Sequence, residues 1–351
     1  MPEARLDSSP LPLYGASRED LAGLLGSEPP YRVAQVWRGL YEQVRLPSEM
    51  TDLPAALRER LNGLLEPALR EAGRSVADGG DTLKWLFELG GGARIETVLM
   101  AYPDRVTVCV STQAGCAMAC QFCATGQAGF ARHLETAEIV EQVLRAVRQA
   151  RPRRLSNVVF MGMGEPLANY DRVWAAIERL HGDVGLSARH LTLSTVGLVP
   201  GIRRLAGEAL PVNLAVSLHA ANDRLRDQLV PINRRYPLEM LMAACAEYAE
   251  RTRRRLSFEW ALIDGVNDSF ADADELAGWC RPLGAHVNVI PLNPTAGYAT
   301  RGTPPRRVRA FVERLARSGI NATVRSTRGS EIDAACGQLA ALDRVPEAGG
   351  G

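Results

Sequence analysis

The chain has 351 residues, 46% of them hydrophobic and 23% charged, and its 41 lysines and arginines against 40 acidic residues leave a formal net charge of +1. That composition excludes a disordered or fibrous chain and is enough for one large and one small core. It also excludes polyanion binding by bulk charge, so any such affinity must come from local asymmetry. The opening string MPEARLDSSPLPLYG has no apolar leader core and no run reaches the length of a bilayer span, so no membrane association and a cytoplasmic location are expected. Seven cysteines, an odd number with a tight cluster among them, suit a reducing compartment better than a disulfide framework.

The first elements read as helices. Ser17-Arg18-Glu19-Asp20 has the form of a capping box. Val33, Val36, Trp37, Leu40 and Tyr41 fall on one face of a helix over Tyr31–Val44, and a third helix fits Leu53–Leu65. Together they predict a small helical accessory domain over residues 1–75. Strand-like alternation follows in Thr82–Glu88, Arg94–Met100 and Val106–Ser111, the first two joined by Gly90-Gly91-Gly92, which predicts a β-hairpin linker over residues 76–104. Between residues 105 and 340 strands and helices alternate. Strands are expected at Asn157–Met161, Leu191–Thr195, Val212–Ser217, Leu256–Leu262, His286–Pro291 and Ala322–Ser326. Helices are expected at Ala137–Ala150, Tyr170–Leu180, Leu238–Arg251, Ala273–Cys280 and Pro305–Ser318. Such βα repeats imply an α/β fold, a partial (β/α)6-type barrel with its active site at the C-terminal ends of the strands. Residues 341–351 read as a flexible tail.

Cys116, Cys120 and Cys123, in GCAMACQFC, form a Cys-x3-Cys-x2-Cys cluster on one short loop. Three thiolates are one fewer than a structural zinc or a fully protein-held iron-sulfur cluster takes. On a 4Fe-4S cluster they would leave one iron open to a small molecule. A zinc knuckle completed by His133 or Cys109 is the alternative that these residues leave open. The spacing resembles the signature of the radical S-adenosylmethionine (SAM) enzymes, in which SAM takes the open iron through its amino and carboxylate groups. Met161-Gly162-Met163-Gly164-Glu165-Pro166, ending the next strand, resembles the Gly-Gly-Glu type of motif that holds the SAM amino group in such barrels. Glycine lets a ligand approach the backbone, and Glu165 can hold an ammonium. Ser194, the string Ser217-Leu218-His219 and Asn293 fall at other strand ends, placed to hydrogen-bond ribose hydroxyls and the SAM carboxylate.

The strings CVSTQAGCAMACQFCATGQAGF (Cys109–Phe130), FMGMGEPLANY, LSTVG, SLHAANDRLRDQLVPINRRYP, DGVND, IPLNP and VRSTRGSEIDAACGQL occur in this order. They resemble the RlmN family of RNA adenine-C2 methyltransferases over residues 94–340. The resemblance implies a radical-SAM barrel with one 4Fe-4S cluster, and two SAM molecules consumed per turnover. It also implies Cys336 as the S-methylcysteine intermediate, Cys109 as the thiol that resolves the RNA adduct by a disulfide with Cys336, and Glu96 as proton acceptor. Whether Cys109 or Glu96 removes the C2 proton stays open at this stage. Adenine C2 lies between two ring nitrogens and is too electron-poor to attack a sulfonium methyl, so a carbon radical must add to it instead. The implied substrates are an adenosine in the peptidyl-transferase region of 23S rRNA and adenosine 37 of tRNA, with a low-potential electron donor such as flavodoxin. Cys245 and Cys280, on predicted helices, read as core residues.

Local basic asymmetry suits an RNA partner. Arg301, Arg306, Arg307, Arg309, Arg314, Arg317, Arg325 and Arg328 stand against Glu313 alone between residues 301 and 329, a net charge of +7 (eight minus one). Smaller clusters are Arg151, Arg153, Arg154 and Arg251, Arg253, Arg254, Arg255. Three competing functions share some of these features: Cfr-like methylation at C8 of the same rRNA adenosine, a radical-SAM enzyme acting on another substrate, and a zinc-stabilised RNA-binding protein.

Overall fold

The computed structural model describes residues 10–254, 256–295, 297–325 and 328–341. Ser326, the last residue of one expected strand, and the expected tail beyond Ala341 lie outside them.

Ser17 caps α1 (Arg18–Leu25), and its box is complete. Ser17 Oγ accepts the Asp20 N–H at 3.0 Å, and the Asp20 carboxylate accepts the Ser17 N–H at 2.8 Å. Helices α2 (Tyr31–Tyr41) and α3 (Ala55–Leu64) bury Val36, Trp37, Leu40, Leu57 and Leu61 between them. α2 stops short of the expected Val44 because that residue takes a positive φ of 49°. The Trp37 indole N–H reaches Asp183 at 2.9 Å, docking the helical unit on the barrel.

Ten strands then form one sheet in which every strand lies beside its neighbour in sequence. β1 (Leu69–Ala77), β2 (Thr82–Leu89), β3 (Arg94–Ala101) and β4 (Val106–Cys109) pair antiparallel. β1 is an edge strand whose residues are largely exposed, so it carries no apolar alternation and escapes sequence reading. The expected boundary at residue 75 falls inside it. β4 pairs in parallel with β5 (Asn157–Phe160), and β6 (Leu191–Thr195), β7 (Asn213–Ser217), β8 (Ser257–Leu262), β9 (His286–Pro291) and β10 (Ala322–Val324) follow in parallel. The returns run through α4 (Thr136–Ala150), α5 (Tyr170–Gly182), α6 (Val199–Leu205), α7 (Asp223–Leu229) with α8 (Leu238–Thr252), α9 (Phe270–Leu283) and α10 (Pro305–Arg317).

The result is six βα units and a final strand, with β10 and β1 left as the sheet's edges. It is the open α/β barrel that the alternation predicts. Fully buried Val158, Leu193, Val216, Phe258 and Val289 come from five successive parallel strands, consistent with helices covering the sheet. Their common direction sends the C-terminal ends of β4–β10 to one rim. Among the described residues no helix is long and apolar enough to cross a membrane.

Candidate active site

At that rim a cavity of about 970 Å³, mouth included, is lined by Cys116, Cys120, Cys123, Gly164, Glu165, Ser194, Ser217, His219, Glu259, Asn293, Arg325 and Cys336. The sheet thus gathers residues far apart in sequence.

The cysteines follow β4. Gln113–Gly115 pairs with Phe130–His133 as a short ribbon, and a single helical turn, Ala124–Gln127, follows Cys123. Gly115 has φ 77°, and a Cβ there would lie 2.0 Å from the Gly129 carbonyl oxygen, so only glycine lets the ribbon close. The Cys116 N–H donates to Gly129 O at 2.7 Å and the Cys123 N–H to Cys120 O at 3.1 Å, which folds the three thiols around the cavity. Burial pushes Cys116 up to about 12 and Cys120 well above the ordinary thiol value. Loading a metal centre there therefore releases protons.

The zinc alternative finds no support. His133 Nδ1 sits 3.0 Å from Gln113 Nε2, and Cys109 lines a second cavity that Cys123 shares but Cys116 and Cys120 do not. Among the described residues no three His, Cys, Asp or Glu side chains converge as ligands of a single ion. A 4Fe-4S cluster spreads its thiolates around a body of several atoms, and Cys116, Cys120 and Cys123, set on one loop around the cavity, fit it.

Opposite the cysteines, Gly164 has φ 104° and packs so tightly on Gln113 that a Cβ would meet Gln113 Cβ at 2.5 Å. Gln113 Oε1 in turn accepts the Glu165 N–H at 2.8 Å. The Glu165 carboxylate accepts the N–H groups of Leu167 (3.0 Å) and Val196 (2.8 Å), while burial lifts it to about 7. An ammonium ligand would offset that desolvation. His219 also sits at positive φ, 61°. Its Nδ1 accepts the Ala261 N–H at 2.9 Å, and burial depresses it to about 3, so it lines the site as a neutral ring. Leu218 is fully buried and lines neither cavity described here; of the expected string only Ser217 and His219 do.

A second cavity is lined by Cys109, Met100, Tyr102, Arg328 and Ala335, and shares Cys123, Asn293, Arg325 and Cys336 with the first. Cys336 therefore stands where the two join. Its loop is held by Ala124 N–H to Gly337 O (2.8 Å), by Asn293 Nδ2 to Cys336 O (3.1 Å) and by Thr125 Oγ1 to Leu339 O (2.5 Å). Cys336 is exposed and Cys109 buried, and burial above all pushes Cys109 up to about 12, so it rests as a thiol. All seven cysteines are free, Cys245 and Cys280 being core residues of α8 and α9 as expected. Glu96 is buried but lines neither cavity; its carboxylate lies 2.6 Å from Lys84 Nζ.

Three functional side chains escape sequence reading. Arg325 Nη1 lies 3.8 Å from Cys336 Sγ and 3.3 Å from Glu259 Oε2, so a half-buried guanidinium bridges the exposed thiol and a buried carboxylate. Fully buried Arg226 donates to Leu218 O (3.0 Å), Val196 O (2.6 Å) and Asn233 Oδ1 (2.8 Å), tying the rim ends of β6 and β7. The fold alone reveals these roles, because an arginine in a short helix carries no spacing signal. Other arginines counted as a basic patch are engaged. Arg307 pairs with Asp264 and Asp268, Arg314 with Asp274, and Arg328 with Asp81 while stacking on Tyr102.

The Radical SAM superfamily model matches residues 110–277. The chain is 56% identical to the probable dual-specificity RNA methyltransferase RlmN of Frankia casuarinae, over 92% of this chain and 80% of that one. The same-named protein of Salinispora tropica is 54% identical over 93% and 91%. The chain belongs to the RlmN family. It is a radical SAM enzyme that transfers methyl groups, and the family's cofactors are a 4Fe-4S cluster and SAM. The crystal structure of a radical SAM methyltransferase from Sphaerobacter thermophilus matches with a TM-score of 0.91 at 48% identity, covering 95% of this chain and 100% of that one. RlmN membership covers the accessory helices and the antiparallel strands as well as the barrel, since these alignments span nearly the whole chain.

Proposed function

We propose that this RlmN-family enzyme methylates C2 of an adenosine in the peptidyl-transferase region of 23S rRNA and of adenosine 37 in tRNA, through an S-methylcysteine at Cys336. The observation that carries the reading is the placement of Cys336 at the junction of two cavities, one holding the cysteine triad and the other Cys109. A SAM-dependent enzyme that only cleaved its cofactor would have no use for two further thiols at that junction.

In this reading Cys116, Cys120 and Cys123 hold the cluster, Glu165 and Gly164 take the SAM amino group, and Ser194, Ser217, His219 and Asn293 contact the rest of SAM. When bound, the cluster and SAM supply a carbon-centred oxidant, with electrons from a low-potential donor such as flavodoxin. Cys336 Sγ gives up its proton and accepts a methyl group; that methyl would lose a hydrogen atom to the oxidant, its carbon would join C2, and the adduct would give up the C2 proton and one electron. Cys109 then attacks Cys336 Sγ; the carbon–sulfur bond breaks toward carbon, which takes up a proton, and a Cys109–Cys336 disulfide is left. Reducing it restores the two free thiols seen here. The substrate adenosine would leave its stack to reach the second cavity, and the exposed Arg301, Arg306 and Arg309 would meet phosphates.

Nucleoside mass spectrometry of 23S rRNA and tRNA treated with the reconstituted enzyme tests this. 2-Methyladenosine in both is expected; 8-methyladenosine would favour the Cfr-like activity, and unmodified RNA with a zinc-loaded, colourless protein would overturn the proposal.

A further inference from the structure

Lys84 is the single lysine in a chain whose other permanent cations are all arginine, and its side chain is largely covered rather than displayed. Its Nζ lies 2.6 Å from Glu96 Oε1 and donates to the Asp333 carbonyl at 3.3 Å. The other carboxylate oxygen, Glu96 Oε2, accepts the N–H groups of Ala340 (2.9 Å) and Ala341 (3.2 Å). The pair therefore grips the Cys336 segment at both ends, at Asp333 before the cysteine and at Ala340 and Ala341 after it.

Register explains how these side chains meet. Val98 is the partner of Lys84 across β2 and β3 and of Cys109 across β3 and β4. Glu96 stands two residues from Val98, so Lys84, Glu96 and Cys109 project from one face of the antiparallel extension. That face receives the C-terminal segment. On its other side the segment is fixed to the cysteine loop and to Asn293. Within the extension, the Lys84–Glu96 pair is thus the link nearest Cys336 on both sides, while Asp78 and Asp81 hold the segment earlier, at Gly329 and Arg328.

We infer that Lys84 and Glu96 are positioning residues, a buried clasp that holds the Cys336 loop in register with Cys109, and that Glu96 does not act as the proton acceptor which the resemblance assigns to it. Both its oxygens are committed to donors of the protein, and it lines neither cavity. A compact ammonium suits the place better than a guanidinium. It offers three donors from one point inside a site where the lysine side chain is only 13% exposed. The inference rests on the reading of Cys336 as methyl carrier, but the clasp itself is measurable without it.

The test uses the reconstituted holoenzyme and the variants Lys84→Met, Glu96→Gln and the double variant Lys84→Met/Glu96→Leu, which removes both charges so that neither is stranded. Hydrogen exchange at residues 333–341 is expected to rise roughly tenfold in all three, with the cysteine loop unchanged. S-methylation of Cys336 by SAM without RNA, read by peptide mass, should slow by a similar factor, and no covalent protein–RNA species should accumulate. Normal exchange at Ala340 and Ala341 in Lys84→Met would overturn the clasp. So would a Glu96→Gln enzyme that methylates Cys336 at the normal rate and then traps RNA covalently, the signature of a lost proton acceptor. Absence of S-methylation in the wild-type enzyme would count against the proposed function alone, because the exchange result still decides the clasp.

Discussion

Gly164→Ala is the most direct probe of the SAM side of the site. At φ 104° a residue with a Cβ is strained by about 1–3 kcal/mol. The new carbon would also lie 2.5 Å from Gln113 Cβ and 2.8 Å from Gln113 N, so backbone as well as side chain must yield. Overpacking of that kind costs about 1–3 kcal/mol more, for a total of about 2–6 kcal/mol. The strain relaxes by moving Gln113, whose side chain holds the Glu165 N–H, so the carboxylate moves with it. SAM affinity should then fall by about tenfold or more, the value of one well-placed hydrogen bond to a charged group. Gly278→Ala is the matched control. It is exposed in the middle of α9 with nothing within 4 Å of the new carbon, and should gain about 0.5–1 kcal/mol with SAM binding unchanged. Urea midpoints and equilibrium binding to the reconstituted protein give both numbers. Wild-type stability and SAM affinity in Gly164→Ala would refute the argument that this turn is glycine because a ligand and Gln113 crowd it.

Cys336→Ala should still convert SAM to 5'-deoxyadenosine under reducing conditions yet leave RNA unmethylated; methylated RNA from this variant would remove the thiol from the mechanism. In Cys109→Ala, a covalent protein–RNA species should build up, visible as an RNase-sensitive shift on a denaturing gel. Arg226→Met strips four hydrogen bonds from a fully buried site and should cost about 3–5 kcal/mol while weakening SAM binding, measured again by urea midpoint and titration. For pH, His219 is held near 3 against an ordinary value near 6.5, so the unfolded chain takes up a proton that the folded chain refuses. That contribution is complete above about pH 6.5 and is lost as pH falls toward 3, at about 1.4 kcal/mol per pH unit. A His219→Asn variant should show a flatter loss of urea midpoint between pH 7 and pH 4, and an identical slope would contradict the neutral buried ring.

The parallel strands were legible because each is a short apolar run, and the boundaries of β6 and β9 match the sequence pattern residue for residue. The same reading missed β1, where an edge position leaves most residues wet. It also missed α6 and α7, whose seven residues are too few to show a helical period. Among site residues, those that touch a ligand chemistry of fixed geometry stood out, as the cysteine triad and Gly164-Glu165 did. Arg226, Arg325 and Glu259 stayed hidden because their work is done through space on groups distant in sequence. Glu96 is the instructive case. Its position was legible by resemblance, whereas its partner Lys84 and the segment that both of them hold could be seen only once the strands were in register.

The topology also explains why Cys336, the proposed methyl carrier, is housed towards the end of the chain rather than in the barrel. β10 is the far edge of the sheet from the antiparallel extension, so no strand pairing links Cys336 to Cys109. The chain must cross the open mouth to bring them together. The hydrogen bonds that Thr125, Asn293, Lys84 and Glu96 make to the crossing are not part of the sheet ladder and can be loosened without unfolding the barrel. Such local openings cost less than global unfolding. The thiol of the proposed function, which would take a methyl group in one cavity and offer it to a base in the next, is well served by that arrangement. Substitutions in the crossing should accordingly slow transfer while sparing SAM cleavage, the reverse of what Gly164→Ala should do.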